Sequence, residues 1–387
     1  MHTATIMITT PRGLEKLLAA EIKALSMPVT WAGTSGVKTT GTFYDAMKLN
    51  LHLRTGHRVL FQLDSFDCRN PDDLYARAVA FPWETIIPAD GYVSVASNVV
   101  NTTIRDTRFP NLRLKDAIVD RIYRKKGRRP DAGPDRHRAV VNLFWRNDHC
   151  ELYLDTSGEP LSKRGYRKIP LRAPMQETLA AAVTMTSKWN NSGNFINPMC
   201  GSGTLAIEAA LIGTRRAPGL VRPQYAFMHT LLFNKEAWVK LHGEARNAAK
   251  PFTGRIIATD IDPAAIDATL ANAQTAGVDR IIECTACDFT ATEIPPGTGV
   301  VVLNPEYGLR LGEEKDLMPV YRGIGDFFKK KCQGYTGYVF TANSALAGKI
   351  GLKSGKKYHF HSGDLECRLY EYEILPSRHE SAGGHDN

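Results

Sequence analysis

No stretch of the 387-residue chain approaches the ~20 uninterrupted apolar residues that a membrane-spanning helix needs. With 43 % hydrophobic and 23 % charged residues, the expectation is a soluble globular protein. The opening residues Met1-His2-Thr3-Ala4 have no basic start, apolar core or small-residue cleavage site of a secretory leader. Cysteine is sparse: seven residues, an odd number, scattered without a repeated pair spacing. That argues against a disulfide framework and for a reducing, cytoplasmic compartment. Cys284 and Cys287 form a lone CxxC with no second pair and no nearby histidine, so no metal is expected. Also missing are the GxGxxG turn of dinucleotide binders, the GxxxxGK[ST] loop of triphosphate binders and the SGGxDS loop of ATP pyrophosphatases. No internal repeat or low-complexity tract is present.

What the chain does have is positive charge concentrated in one half. The net charge is +9, from 49 Lys+Arg against 40 Asp+Glu. Residues 1–168 hold 26 basic and 18 acidic side chains (+8), and residues 169–387 hold 23 and 22 (+1). Between Arg105 and Arg138 alone there are 12 basic and 5 acidic residues, or +7. A local field of that size favours a polyanion, and nucleic acid is the commonest one.

At roughly 150 residues per domain, the length implies two or three domains. Apolar spacing at Leu14, Leu17, Leu18, Ile22 and Leu25 predicts a helix over Gly13–Leu25, and a second helix follows near Tyr44–Arg54. This small α+β unit is assigned to residues 1–58. From 59 to 160, strands at Arg58–Leu63, Tyr92–Ser97, Ala139–Trp145 and Cys150–Thr156 alternate with helices at Pro71–Ala80 and Leu114–Lys125. Residues 161–174, basic and twice interrupted by proline, read as a linker. From 175 to 376, strands alternate with helices of 10 to 15 residues, which is the pattern of an open, doubly wound parallel sheet. The tail 377–387 is expected to be disordered.

Four motifs in the last domain carry chemistry. Asn197-Pro198-Met199-Cys200-Gly201-Ser202-Gly203-Thr204 joins an apolar strand to a helix. Its glycines let a ligand lie against bare backbone at the helix N-terminus. Asp260-Ile261-Asp262 ends the next strand, where a carboxylate can accept from two ribose hydroxyls. Asp262, before Pro263, reads as a helix N-cap. Cys287-Asp288-Phe289 follows a third strand and offers an acceptor for an amino group beside an aromatic face. Asn304-Pro305-Glu306-Tyr307 ends the apolar strand 300–303. There the Asn304 side-chain oxygen and the Pro305 carbonyl can accept the two N–H bonds of a planar amino group while Tyr307 stacks on its ring. Such a grip favours a pyramidal nitrogen able to attack an electrophilic methyl in line, so catalysis is mainly positioning.

In these residues the chain resembles the class I S-adenosylmethionine-dependent RNA methyltransferases that carry an N-terminal THUMP domain. The likeness extends over Thr9 to Glu15, Arg113 to Asp120, Lys163 to Arg167, Ala173 to Ala180, Asn197 to Thr204, Ala217 to Leu220 and Gly363 to Cys367. Within that group it is most similar to bacterial guanine-N2 methyltransferases of large-subunit (23S) ribosomal RNA in their single-methyltransferase form. The resemblance implies an α/β fold: a C-terminal Rossmann-like methyltransferase domain behind ferredoxin-like and THUMP domains that grip structured RNA. It implies a cofactor site at Asn197, Pro198, Cys200, Gly201, Ser202, Gly203, Thr204, Asp260, Ile261, Asp288, Phe289 and Asn304. Gly201 and Gly203 would lie under the methionine part of S-adenosylmethionine, Asp260 on its ribose and Asp288 on its adenine. Asn304, Pro305 and Tyr307 would hold the target base, with Glu306 among the catalytic set. RNA contacts are expected from Arg105, Arg113, Lys115, Arg124, Lys125, Lys126, Arg128, Arg129, Lys163 and Arg164. Neither a metal nor a membrane is implied. A tRNA substrate and a non-catalytic RNA-binding module are the competing readings.

Two residues depart from the group's pattern. Asn197 stands where Asp is usual, which removes a charge near the sulfonium. Glu306 stands where a second proline is usual, and its carboxylate could accept from guanine N1–H while repelling the acceptor at adenine N1.

Overall fold

Alternation along β1 (Ala4–Thr9) buries Ile6 and Ile8 on one face, and the helix α1 (Glu15–Ala24) covers them with Leu18 and Ile22. The computed structural model describes residues 2–34, 36–100, 104, 108–171, 174–308 and 313–375. Arg105 and the tail expected at 377–387 lie outside these. After β2 (Trp31–Gly33) and β3 (Gly36–Gly41), α2 (Phe43–His52) starts in a capping box. Thr42 accepts from the Asp45 N–H, and Asp45 accepts from the Thr42 N–H. The ten-residue β4 (Arg58–Asp67) pairs with β1 through its first half. Further elements are α3 (Pro71–Ala80), β5 (Tyr92–Val100), α4 (Arg108–Lys126), β6 (Asp131–Ala132), β7 (Ala139–Arg146) and β8 (His149–Asp155). All eight strands form one sheet in the order β2-β3-β1-β4-β8-β7-β5-β6. Because β4 pairs with both β1 and β8, the boundary expected at 58/59 falls at the start of a strand that both parts share.

The chain then builds α5 (Glu177–Thr186), β9 (Asn194–Pro198) and α6 (Thr204–Gly213). Later come α7 (Lys235–Asn247), β10 (Ile256–Asp260), α8 (Pro263–Ala276), β11 (Ile282–Ala286), β12 (Gly299–Leu303), α9 (Glu313–Lys331), β13 (Thr336–Thr341), α10 (Ser344–Ala347), β14 (Lys357–Ser362) and β15 (Leu365–Glu373). Seven strands form the second sheet in the order β11-β10-β9-β12-β13-β15-β14. The first five are parallel, whereas β15 runs antiparallel to both β13 and β14. The strand order reverses at β9, which lies between β10 and β12, and ligands of open α/β sheets bind at that switch point.

Two compact units result: Met1–Lys163 with Ala217–Asn247, and Arg164–Arg216 with Ala248–Asn387. The expected linker at 161–174 is not an exposed tether. Leu161, Ser162, Arg164 and Tyr166 are buried, and Arg164 (2 % exposed) pairs with Glu208 (0 %) of α6 at 3.2 Å. Residues 217–247, expected within the catalytic domain, belong to the first unit's core. Tyr225, Phe227, Trp238 and Leu241 pack with Leu49, Leu51, Val59 and Phe61. Gly219 lies so close to α2 that a Cβ there would sit 2.7 Å from the Leu51 Cα. Arg222 donates to the carbonyls of Ser157 (2.8 Å), Glu159 (2.8 Å) and Pro160 (3.0 Å).

Candidate active site

The predicted strand-end residues converge at the carboxyl ends of β9, β10, β11 and β12. The turn after β9 carries three left-handed residues in alternation: Met199 (φ 55°), Gly201 (φ 56°) and Gly203 (φ 79°). Gly203 has no alternative, because a Cβ would meet the Thr269 side chain at 2.5 Å. A Cβ on Gly201 would meet nothing within 4 Å, so that backbone faces open space. Met199 adopts the same region without glycine's freedom, at a cost of about 1–2 kcal/mol, the kind of strain that clusters at functional turns. Thr269 of α8 fastens the turn from below by donating to the Gly201 carbonyl at 2.9 Å. Pro198, Ser202 and Thr204 are buried in this turn. Burial also pushes the Cys200 thiol up to about 12.

Asp260 accepts from the Gly201 N–H (2.9 Å) through one carboxylate oxygen and from the Asp262 N–H (3.0 Å) through the other. Each oxygen keeps a further lone pair for a ligand hydroxyl. Asp262 caps α8 at the Ala264 N–H, as its place before Pro263 predicts. Between them Ile261 is 72 % exposed, an apolar face beside the carboxylate. Asp288 is exposed and accepts from the Thr290 N–H (2.9 Å) and hydroxyl (2.5 Å) on a single oxygen. The Phe289 ring packs edge-on against Phe327 at 5.9 Å, so part of its surface serves the core.

At the switch point Asn197 is fully buried. Its Nδ2 donates to the Val302 carbonyl on β12 at 2.8 Å, and its Oδ1 has no hydrogen-bond partner among the described residues. At the end of β12, Pro305 is buried and Asn304 is half-buried. The Tyr307 hydroxyl donates to Asn304 Oδ1 at 2.8 Å, which fixes the amide orientation and leaves one lone pair on that oxygen. Burial, with the Cys367 thiol alongside, keeps the Tyr307 phenol protonated far above its ordinary range. Two contacts hold the turn: Tyr321 donates to the Glu306 carbonyl at 3.0 Å, and Asn343 donates to the Tyr307 carbonyl at 3.1 Å. The Glu306 side chain is exposed.

The candidate RNA residues divide by whether a local acid already holds them. Arg113 is bound to Asp72 (2.5 Å) and lies over the Tyr75 ring, and Lys115 meets Asp116 at 2.9 Å. Lys163 pairs with Glu159, and Arg129 reaches Asp120 at 3.3 Å. Arg124, Lys125, Lys126 and Arg128 are exposed and have no ion-pair partner among the described residues. Arg164 is a correction: fully buried against Glu208, with Tyr166 donating to the same carboxylate at 3.1 Å, it presents nothing to a polyanion. Sequence reasoning assigned no role to Arg167, which contacts the first residue of α6. Arg167 bonds Thr204 at 3.0 Å and lies 3.6 Å from Glu177, and Thr178 is fully buried.

Among the described residues, no helix is long and apolar enough to cross a membrane, and no group of three or more His, Cys, Asp or Glu could hold a metal.

Comparison with known proteins matches three stretches to family models: an RlmL ferredoxin-like domain at 5–60, a THUMP domain at 68–155 and an RMKL-like methyltransferase domain at 164–371. The chain is 37 % identical over 381 residues to ribosomal RNA large subunit methyltransferase K/L of Syntrophotalea carbinolica. It is 34 % identical over 382 residues to the protein of the same name from Pseudomonas aeruginosa. Each match takes in 96 % of this chain and 53 % of the relative, so the chain spans about half the length of the curated relatives it matches. Among solved structures, one described as "a putative methyltransferase complexed with SAH" superposes with a TM-score of 0.88 at 26 % identity, over 98 % of this chain and all of that one. A predicted N6-adenine-specific DNA methylase from Listeria monocytogenes superposes with a TM-score of 0.87 at 31 % identity, over 97 % of each chain.

Proposed function

The chain belongs to the RMKL-like methyltransferase family, and from that membership we propose that it transfers a methyl group from S-adenosylmethionine to the exocyclic N2 amino group of a guanine in 23S ribosomal RNA. The observation that carries this reading is the Asn304–Tyr307 turn, whose amide is fixed with its oxygen as acceptor at the switch point beside the glycine turn.

The residues present fit that cofactor. The open backbone of Gly201 and the unsatisfied Asn197 Oδ1 are a cradle and an acceptor beside one another in sequence, and Asp260 keeps acceptor capacity for ribose hydroxyls. Asp288 and Ile261 supply an acceptor and an apolar face for adenine. When bound, S-adenosylmethionine supplies a methyl group activated by a sulfonium. The rest is positioning by the chain. Asn304 Oδ1 and the Pro305 carbonyl accept from the target amino group, Tyr307 bounds the base, and Glu306, exposed on the same turn, accepts from guanine N1–H. No side chain here need act as a strong base, because the amine proton is acidic only after the new bond forms. The exposed cations of α4, Arg124, Lys125, Lys126 and Arg128, are the proposed grip on the RNA backbone, joined by Arg129.

Mass spectrometry of nucleosides from separated ribosomal RNA and tRNA, with and without the gene, tests this reading. Loss of N2-methylguanosine from large-subunit RNA is the expected result. Its loss only from tRNA, or a loss of N6-methyladenosine instead, would overturn the substrate.

A further inference from the structure

We propose that Tyr321, Thr341 and Asn343 are positioning residues for methyl transfer that aim the Asn304 amide through Tyr307, a role that rests on the function proposed above. Pro305 fixes its own φ. The covalent structure restrains neither of the next two residues, and the turn runs on to Gly308 in the left-handed region (φ 60°). Their peptide groups are held from outside instead. The Glu306 carbonyl accepts from the Tyr321 hydroxyl of α9 (3.0 Å), and the Tyr307 carbonyl accepts from Asn343 Nδ2 (3.1 Å), two residues past the end of β13. These two carbonyls belong to the peptide planes on either side of the Tyr307 Cα. Fixing both planes fixes the direction in which the Tyr307 side chain leaves the backbone, and hence where its hydroxyl meets Asn304 Oδ1 (2.8 Å).

The three side chains form one directional chain of hydrogen bonds. Tyr321 has a single hydroxyl proton, and it goes to the Glu306 carbonyl, which can only accept. In the contact between Tyr321 and the Thr341 hydroxyl (2.9 Å), Thr341 is therefore the donor, and its oxygen accepts in turn from the Asn343 N–H (3.0 Å). Asn343 Oδ1 accepts from the Leu346 N–H (3.0 Å), which caps α10 and orients Nδ2 toward the turn. Every donor points toward the turn, and each bond polarises the next. Tyr321 is fully buried and Thr341 is 1 % exposed, so water does not compete for these bonds. The chain ends, by way of the Tyr307 hydroxyl, on the amide oxygen to which the target amino group would donate. In-line transfer depends steeply on that placement, since a displacement of about 1 Å can cost on the order of 100-fold in rate.

Tyr321→Phe keeps the ring and removes only the donor. Thr341→Val breaks the chain one step earlier, and Thr341→Ser keeps it. Asn343→Asp retains the α10 cap but sets an oxygen, in place of an N–H, against the Tyr307 carbonyl. Two measurements on the full chain separate positioning from folding: the single-turnover rate of methyl transfer to large-subunit ribosomal RNA transcribed in vitro, and S-adenosylhomocysteine affinity and site count by titration calorimetry. The rate per binding site should fall about 10-fold in Tyr321→Phe, Thr341→Val and Asn343→Asp. Affinity for S-adenosylhomocysteine should stay at the wild-type value, and Thr341→Ser should recover most of the rate. Should Thr341→Val not fold, Tyr321→Phe, the smaller change, carries the same contrast. If the rate per site is unchanged, or falls only in step with S-adenosylhomocysteine affinity, the positioning role is overturned and the proposed function stands. If wild-type protein binds S-adenosylhomocysteine but methylates no guanine of that RNA, the proposed function fails and this role with it.

Discussion

Asn197 shows how one atom can separate two side chains of the same shape. Its Nδ2 points at the Val302 carbonyl at 2.8 Å in a fully buried position. Aspartate would set a second oxygen against that carbonyl unless it kept its proton, so its folded pKa must rise above the ordinary ~4. An acid with a raised folded pKa loses stability as pH climbs from the unfolded value through the folded one. Asn197→Asp should therefore melt close to wild type near pH 4.5 and fall below it by on the order of 2–3 kcal/mol at pH 8. Thermal melts of the pair at both pH values decide it, and an equal deficit at both would remove the argument. The sequence marks Asn197 as a departure from the group's aspartate. It does not show this contact, because Val302 lies 105 residues away and acts through its backbone.

At the scale of elements, α4 combines a structural stretch with an exposed one. Its first part holds arginines on local acids, and its last turn carries Arg124, Lys125 and Lys126, where positive charge also suits the helix C-terminus. Replacing Arg124, Lys125, Lys126, Arg128 and Arg129 by Gln should reduce the slope of log affinity for RNA against log salt by up to about 4, while cofactor affinity stays unchanged. Filter binding across a salt series reads the slope, and an unaltered slope would move the RNA surface elsewhere. Elements such as α8 are legible residue by residue: Asp262 caps it, Pro263 opens it, and Gly277 closes it at φ 67°. The strand-end motifs are legible for the same reason, since each is local in sequence. Arg164 is not. Within a basic stretch it reads as one more surface cation, and its partner Glu208 is 44 residues on. The available signal was Glu208 itself, the lone charge in the otherwise apolar helix Thr204–Gly213.

At the scale of the whole molecule, the first unit is made from two separated stretches of chain. Nothing local announces that 217–247 belongs there, because its buried aromatics look like any other core. Burying Tyr225, Phe227 and Trp238 contributes roughly 2–3 kcal/mol each, which together rivals the ~5–15 kcal/mol net stability of an ordinary domain. Residues 1–163 expressed alone should therefore not fold cooperatively, whereas 1–163 joined by a flexible linker to 217–247 should. Urea unfolding followed by circular dichroism distinguishes them, and a cooperative transition in the short fragment would show the segment to be dispensable.

That division also sets an order of events during synthesis. The ribosome delivers the apolar face of Leu49, Leu51 and Val59 early, and its cover at Tyr225 to Leu241 only after the glycine turn has emerged. At ~5–20 residues per second, the nascent N-terminal unit waits on the order of ten seconds or more with that face uncovered. For that interval the unfinished unit carries an apolar face that only its own later residues will cover.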